Sequence, residues 1–173
     1  GNIIGWFQGR SEVGARALGG RSILANPLIW DMRDKVNSEV KHRESWRPFC
    51  PSLTEESYPK YFGDAPNSEF MILAFKLNEE FRSILPSAVH VDGTARPQSV
   101  SRIANPKFHS LLSQFGEISG HPVLINTSFN VQGEPIVNSP RDALRCFGGT
   151  GIDTLAIGEC IVHKSGVLQS GGK

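Results

Sequence analysis

Short apolar runs that alternate with helical periods constrain this chain more than any other feature. Ile3–Phe7, Met71–Leu77, Val123–Ile125, Leu155–Ile157 and Cys160–His163 are each short, apolar and bounded by Gly, Pro, Asn or Asp. Such runs are expected to be strands, and Val89–Val91 has the same character more weakly. Between them, Asn105 can cap a helix with Pro106 at its first position. Phe108, Leu111, Leu112 and Phe115 then recur at the spacing of one helical face, and Gly116 offers a stop. Ser139-Pro140 opens a second helix, with Ala143, Leu144 and Phe147 on one face and Gly148-Gly149 after it. A third is expected from about Asp31 to Val40, where Met32, Val36 and Val40 share a face. Strands alternating with helices define an α/β class. The pattern leaves open whether the sheet is parallel or mixed.

A chain of 173 residues fits one domain, residues 1–173, and it carries no repeat or linker that would divide it. The opening Gly1-Asn2-Ile3-Ile4-Gly5-Trp6-Phe7 reads as a buried strand, so the chain is expected to be a piece of a longer one. No apolar run approaches the roughly 18 residues of a membrane span, and no leader-like N-terminus is present. The net charge is +1, from 18 Lys+Arg against 17 Asp+Glu. Affinity for nucleic-acid backbones usually rests on a strong basic excess, so nucleic acid is not an expected partner. Cys50, Cys146 and Cys160 are odd in number and widely spaced, which suits a reducing cytoplasm better than a disulfide framework. His42, His90, His109, His121 and His163 lack ligand-like spacing, so no protein-built metal site is expected.

Four stretches carry chemistry. Gly9 to Ile23 sets Arg10, Arg16 and Arg21 among glycines directly after a strand. Arginine offers a planar fork of donors to phosphate or carboxylate, and glycines let backbone amides approach an anion. A solvated turn with surface arginines would use the same residues. Lys41 to Ser52 sets Lys41, Arg43 and Arg47 between a helix end and a segment stiffened by Pro48 and Pro51. In an extended chain Lys41 and Arg43 share a face and would need an anion between them; as helix C-terminal charges they would not. Asp92 to Arg102 places Arg96 in a turn and Gln98 in an extended piece. Asn126-Thr127-Ser128-Phe129-Asn130 follows a strand, where open α/β sheets hold ligands, although the same residues also make ordinary turns.

Taken in order, these stretches resemble the C-terminal domain of the O-carbamoyltransferases that act on nodulation factors, cephalosporins and aminoglycosides. The matching motifs are Arg10 to Ile23 (Arg-x-Glu-x-Gly-x-Arg-Ala-Leu-Gly-x-Arg-Ser-Ile), Lys41 to Ser52, Asp92 to Val100 and Asn126 to Asn130. The resemblance implies a YrdC-like fold: a twisted open sheet, expected to be mixed, with flanking helices. It also matches Lys41, Arg43, Ser128 and Asn130 to the Lys-x-Arg … Ser-x-Asn signature of enzymes that make threonylcarbamoyl-adenylate for tRNA. The implied reaction activates carbamoyl phosphate with ATP and Mg²⁺ to carbamoyl-adenylate. A preceding N-terminal acceptor domain of ASKHA-type fold, holding Fe²⁺ or a similar metal, would then transfer the carbamoyl group to a hydroxyl. On this likeness Lys41, Arg47, Arg96 and Ser128 are expected at the carbamoyl-phosphate pocket. Arg16, Arg21, Arg43, Asn126 and Asn130 are expected to contact phosphates or nucleotide. Arg10 and Glu12 fit the motif or a structural ion pair equally well, and Cys50, Trp46 and Phe129 are expected to pack. The tRNA branch leaves an RNA-binding module as the alternative.

Overall fold

The computed structural model describes residues 1–164. Its main body is a seven-stranded sheet built from β1 (Ile4–Phe7), β2 (Arg21–Ala25), β3 (Cys50–Thr54), β6 (Gln98–Val100), β7 (Val123–Ser128), β8 (Thr154–Ile157) and β9 (Cys160–His163). The spatial order is β6-β3-β7-β2-β1-β8-β9. β1 runs parallel to β8 and β3 parallel to β6, whereas the other neighbours are antiparallel, so the sheet is mixed.

Successive strand residues point to opposite faces, and the core follows that rule. Phe7, Ile23 and Ile125 face α1 (Met32–Val36) and α5 (Pro140–Gly149), meeting Met32, Val36, Ala143 and Phe147. Their chain neighbours Trp6, Leu24 and Leu124 face α4 (Pro106–Ser119), meeting Phe108 and Leu112. A third cluster joins Leu53 and Val123 to α2 (Tyr58–Phe62), α3 (Glu79–Arg82) and the small antiparallel pair β4 (Phe75–Lys76) and β5 (Thr94–Ala95).

The α/β reading holds, with local corrections. Of Met71–Leu77 only Phe75–Lys76 is a strand, because Met71 takes a left-handed φ of 53° and Ile72 and Leu73 lie exposed. Val89–Val91 is not a strand; Gly93 N donates to His90 O and closes a turn there. Gly116 does not end α4, which runs on to a left-handed Gly120. A Cβ at Gly116 would lie 2.7 Å from Pro122 Cβ, so glycine there permits close packing. Leu144 is exposed, and the buried face of α5 is Ala143, Cys146 and Phe147. The helix expected from Asp31 to Val40 is α1 continued by a π-helical turn, Asn37–Lys41, and Met32, Val36 and Val40 are all buried. β2, β3 and β6 carry buried polar residues (Ser22, Ser52, Gln98) that interrupt an apolar strand pattern.

Candidate functional site

The π-helical turn sets the geometry of the cationic stretch. It ends at His42, whose φ of 49° reverses the chain, so Lys41 turns inward and does not share an extended face with Arg43. Lys41 is 4% exposed. Its ammonium donates to the Ser128 carbonyl, to Ser128 Oγ at 3.2 Å, to Asn130 O at 3.0 Å and to Asn130 Oδ1 at 2.8 Å. Ser128 Oγ donates onward to Asn130 Oδ1 at 2.6 Å, and Asn130 Nδ2 to Glu134 O at 2.7 Å. Burial, and then the Arg43 charge, lower Lys41 to about 7. The ring of oxygens around Nζ pulls the other way, favouring the ammonium. Lys41 is therefore a buried amine held on the end of β7, its charge sensitive to any further charge nearby.

Beside it lies a cavity of about 120 Å³ whose lining includes Arg16, Arg43, Arg96, Asn126 and Ser128. Arg43 is anchored through Nε, which donates to Asn37 Oδ1 at 2.7 Å; the Asn37 amide is fixed in turn by the carbonyls of Ser45 and Arg47. The guanidinium stacks 4.7 Å above Phe49, and its Nη groups make no hydrogen bond to the described residues. Burial, then neighbouring Arg47, lower the Arg43 pKa, with Arg96 adding to the effect. Arg96 Nε and Nη2 both lie 3.2 Å from Cys50 Sγ. Like charges gathered at a partly desolvated cavity repel one another, and an anion between them relieves that cost.

Arg21 and Arg47 do not line this cavity. Arg21 is buried over the Phe7 ring at 3.5 Å, and its Nη groups donate to the carbonyls of Gln8, Gly9 and Gly20. It staples the ends of β1 and β2 together. Arg47 pairs with Glu44 at 3.1 Å on the surface. Trp46 is 70% exposed, contrary to the packing expectation, while Cys50 and Phe129 are buried as expected. Glu12 forms no ion pair with Arg10; its Oε1 accepts from the amides of Leu18 at 2.7 Å and Gly20 at 2.6 Å, shaping the loop that carries Arg16. Asn37 was not foreseen, and nothing in the sequence marks it, since its role depends on the π-helical turn bringing it beside Arg43.

Two further depressions adjoin the loop. One, lined by Glu12, Gly14, Ala15, Ser128, Asn130 and Glu134 among others, shares Ala15 and Ser128 with the first cavity, so Ser128 stands at their junction. The other, a cleft of about 420 Å³, lies across residues 18–20 and contains Arg10 and Lys107. It lacks Lys41, Arg43 and Arg96, and Lys107 is already bonded to Gln8 Oε1 at 2.8 Å. The chemistry-bearing groups therefore converge on the smaller cavity. Among the described residues, no three His, Cys, Asp or Glu side chains group closely enough to hold a metal ion.

A mixed α/β sheet that gathers guanidiniums and a buried ammonium at one strand end defines a domain suited to handling anions. The chain belongs to the carbamoyltransferase C-terminus family, whose model matches residues 1–164. It is 47% identical over 164 residues to an uncharacterised protein of Methanocaldococcus jannaschii, covering 95% of this chain and 27% of that protein. It is 45% identical to the nodulation protein NolO of Bradyrhizobium diazoefficiens, covering 95% of this chain and 30% of NolO. It is 38% identical to the 3'-hydroxymethylcephem-O-carbamoyltransferase of Streptomyces clavuligerus, covering 92% and 30% respectively. The chain thus spans less than a third of the length of these relatives.

Proposed function

We propose that this chain is the carbamoyl-activating part of an O-carbamoyltransferase, converting carbamoyl phosphate and ATP to carbamoyl-adenylate. The observation that carries the reading is the convergence of Arg16, Arg43, Arg96 and Ser128 on one small cavity beside the buried Lys41. Water releases phosphate from carbamoyl phosphate to leave carbamate. A carbamate oxygen then attacks the α-phosphorus of ATP, the bond to the β-phosphate breaks, and pyrophosphate leaves. Neither step needs a covalent protein nucleophile, so positioning and charge stabilisation carry the catalysis. Arg43 and Arg96 hold the phosphate of the first substrate. Lys41 and Asn130 fix Ser128 at the passage to the neighbouring depression, where the loop amides accommodate the nucleotide phosphates while Arg16 faces them from the first cavity. Mg²⁺ would arrive with ATP and take its ligands chiefly from the phosphates; Glu12 and Glu134 are the carboxylates among the residues lining that depression. Arg47 adds positive potential from outside the cavity. Transfer to an acceptor hydroxyl belongs to the part of the longer relatives that this chain does not span.

The test is carbamoyl-phosphate-dependent exchange of labelled pyrophosphate into ATP with Mg²⁺ present. Exchange that needs all three components is expected. No exchange, together with no heat of binding for carbamoyl phosphate or ATP by calorimetry, would overturn the reading.

A further inference from the structure

We infer that the side-chain amide of Asn126 reads the NH₂ group of the carbamoyl unit, an inference that rests on the function proposed above. A chain of buried amides fixes which end of Asn126 is free. Gln98 Nε2 lies 3.0 Å from the Leu18 carbonyl, an oxygen that can only accept, so that end of the Gln98 amide is its NH₂. Gln98 Oε1 is consequently an acceptor, and it takes the Ser52 hydroxyl at 2.6 Å and Asn126 Nδ2 at 2.9 Å. Asn126 therefore turns its own NH₂ toward Gln98, and its Oδ1 is left over. A backbone carbonyl in the Arg-rich loop has fixed the polarity of an amide two links away.

Asn126 is 1% exposed, and its Oδ1 is buried with no hydrogen-bond partner among the described residues. An acceptor left so is worth about 10- to 100-fold in an equilibrium constant when a donor arrives. Asn126 is also one of the residues lining the cavity with Arg16, Arg43 and Arg96. The guanidiniums offer donors alone, and the Ser128 hydroxyl proton is committed to Asn130. Asn126 Oδ1 offers the opposite polarity. The ligand that satisfies both carries anionic phosphate oxygens and an N–H donor a few bonds away. Carbamoyl phosphate does; acetyl phosphate, with CH₃ in place of NH₂, and inorganic phosphate do not.

The experiment is calorimetric titration of the chain with carbamoyl phosphate, acetyl phosphate and inorganic phosphate. Carbamoyl phosphate should bind about 10- to 100-fold more tightly than acetyl phosphate. Asn126→Ala should bring the two to near parity while leaving inorganic phosphate almost unchanged. Should that variant not fold, Gln98→Met unlocks the amide without removing it and should likewise erode the preference. Equal affinities in the unsubstituted protein would overturn the inference while leaving the carbamoyl-activating reading in place, as would a preference that survives in a folded Asn126→Ala. Binding of none of the three would instead remove the reading of the site, and this inference with it.

Discussion

Arginine is used here in two distinct ways, and the difference lies in where each guanidinium spends its protons. Arg21 spends its Nη groups on three backbone carbonyls and stacks on Phe7. Arg43 spends only Nε, on Asn37, and Arg96 rests against a thiol. Substitution should separate the two uses. Arg96→Ala is expected to lower pyrophosphate exchange by about 10²- to 10³-fold, the usual cost of one well-placed charge in a transition state. Its melting temperature should stay close to that of the unsubstituted chain. Arg21→Ala should behave in reverse, because it removes the guanidinium donor from the Gln8 and Gly9 carbonyls, whereas the Gly20 carbonyl keeps the Gln8 N–H at 2.8 Å. A loss of about 1–3 kcal/mol in unfolding free energy is expected, with exchange per folded molecule little altered. Parallel melting curves and exchange assays on the two variants decide it. A stable Arg21→Ala with abolished exchange would return that residue to the site.

Among the elements, the Arg-rich loop between β1 and β2 is held both by contacts within its own stretch and by docking on α4. Glu12 Oε1 gathers the Leu18 and Gly20 amides, and Trp6 Nε1 donates to Gly19 O at 2.8 Å. Gly19 has a φ of +103°, and a Cβ there would stand 2.4 Å from Phe108 Cδ1 in the α4 face of the core. Gly19→Ala is therefore expected to destabilise by about 1–3 kcal/mol, read as a lower denaturant midpoint at unchanged slope. An unchanged midpoint would mean that the loop does not dock on α4 as described. What could be read from sequence follows the same division. Strands β1, β7, β8 and β9 and the caps Asn105 and Ser139 are local signals, and they stand within a few residues of their expected places. β2 and β3 are interior strands and β6 lies at the sheet edge, each interrupted by a buried polar residue, Ser22, Ser52 or Gln98. Ser22 accepts from nearby Gly19, but Gln98 is satisfied by Ser52 and Asn126 from distant strands, partners that no local window contains. The site divides likewise. The motifs mark Lys41, Ser128 and Asn130, whose side chains meet in the fold, whereas the anchoring of Arg43 by Asn37 and the withdrawal of Arg21 required the assembled fold.

At the scale of the whole molecule, the buried amine of Lys41 is expected to link folding and ligand binding through one proton. Lys41 joins the end of the α1 segment to the end of β7, and its pKa falls from an ordinary 10.5 to about 7, chiefly through burial. In the unfolded chain the amine stays protonated up to about pH 10.5, so between roughly pH 7 and that value the unfolded state holds a proton that folded Lys41 has lost. The unfolded state binds more protons there, hence Lys41 makes stability rise with pH across this window. Below about pH 7 both states are protonated, and the cost of burying the ammonium is fully present. Lys41→Met should flatten this rise, measured by denaturant unfolding at pH 7 and 9. An anion in the neighbouring cavity acts in the opposite sense, because negative charge beside the amine raises its pKa again. Binding of carbamoyl phosphate near pH 8 should therefore draw a proton from solvent, and affinity should weaken as pH rises from 7 to 9. Calorimetry in two buffers of different ionisation enthalpy reads that uptake directly, and Lys41→Met should abolish it. Identical heats in both buffers for the unsubstituted protein would show that the buried amine keeps one protonation state throughout, and that fold and ligand are not linked through it.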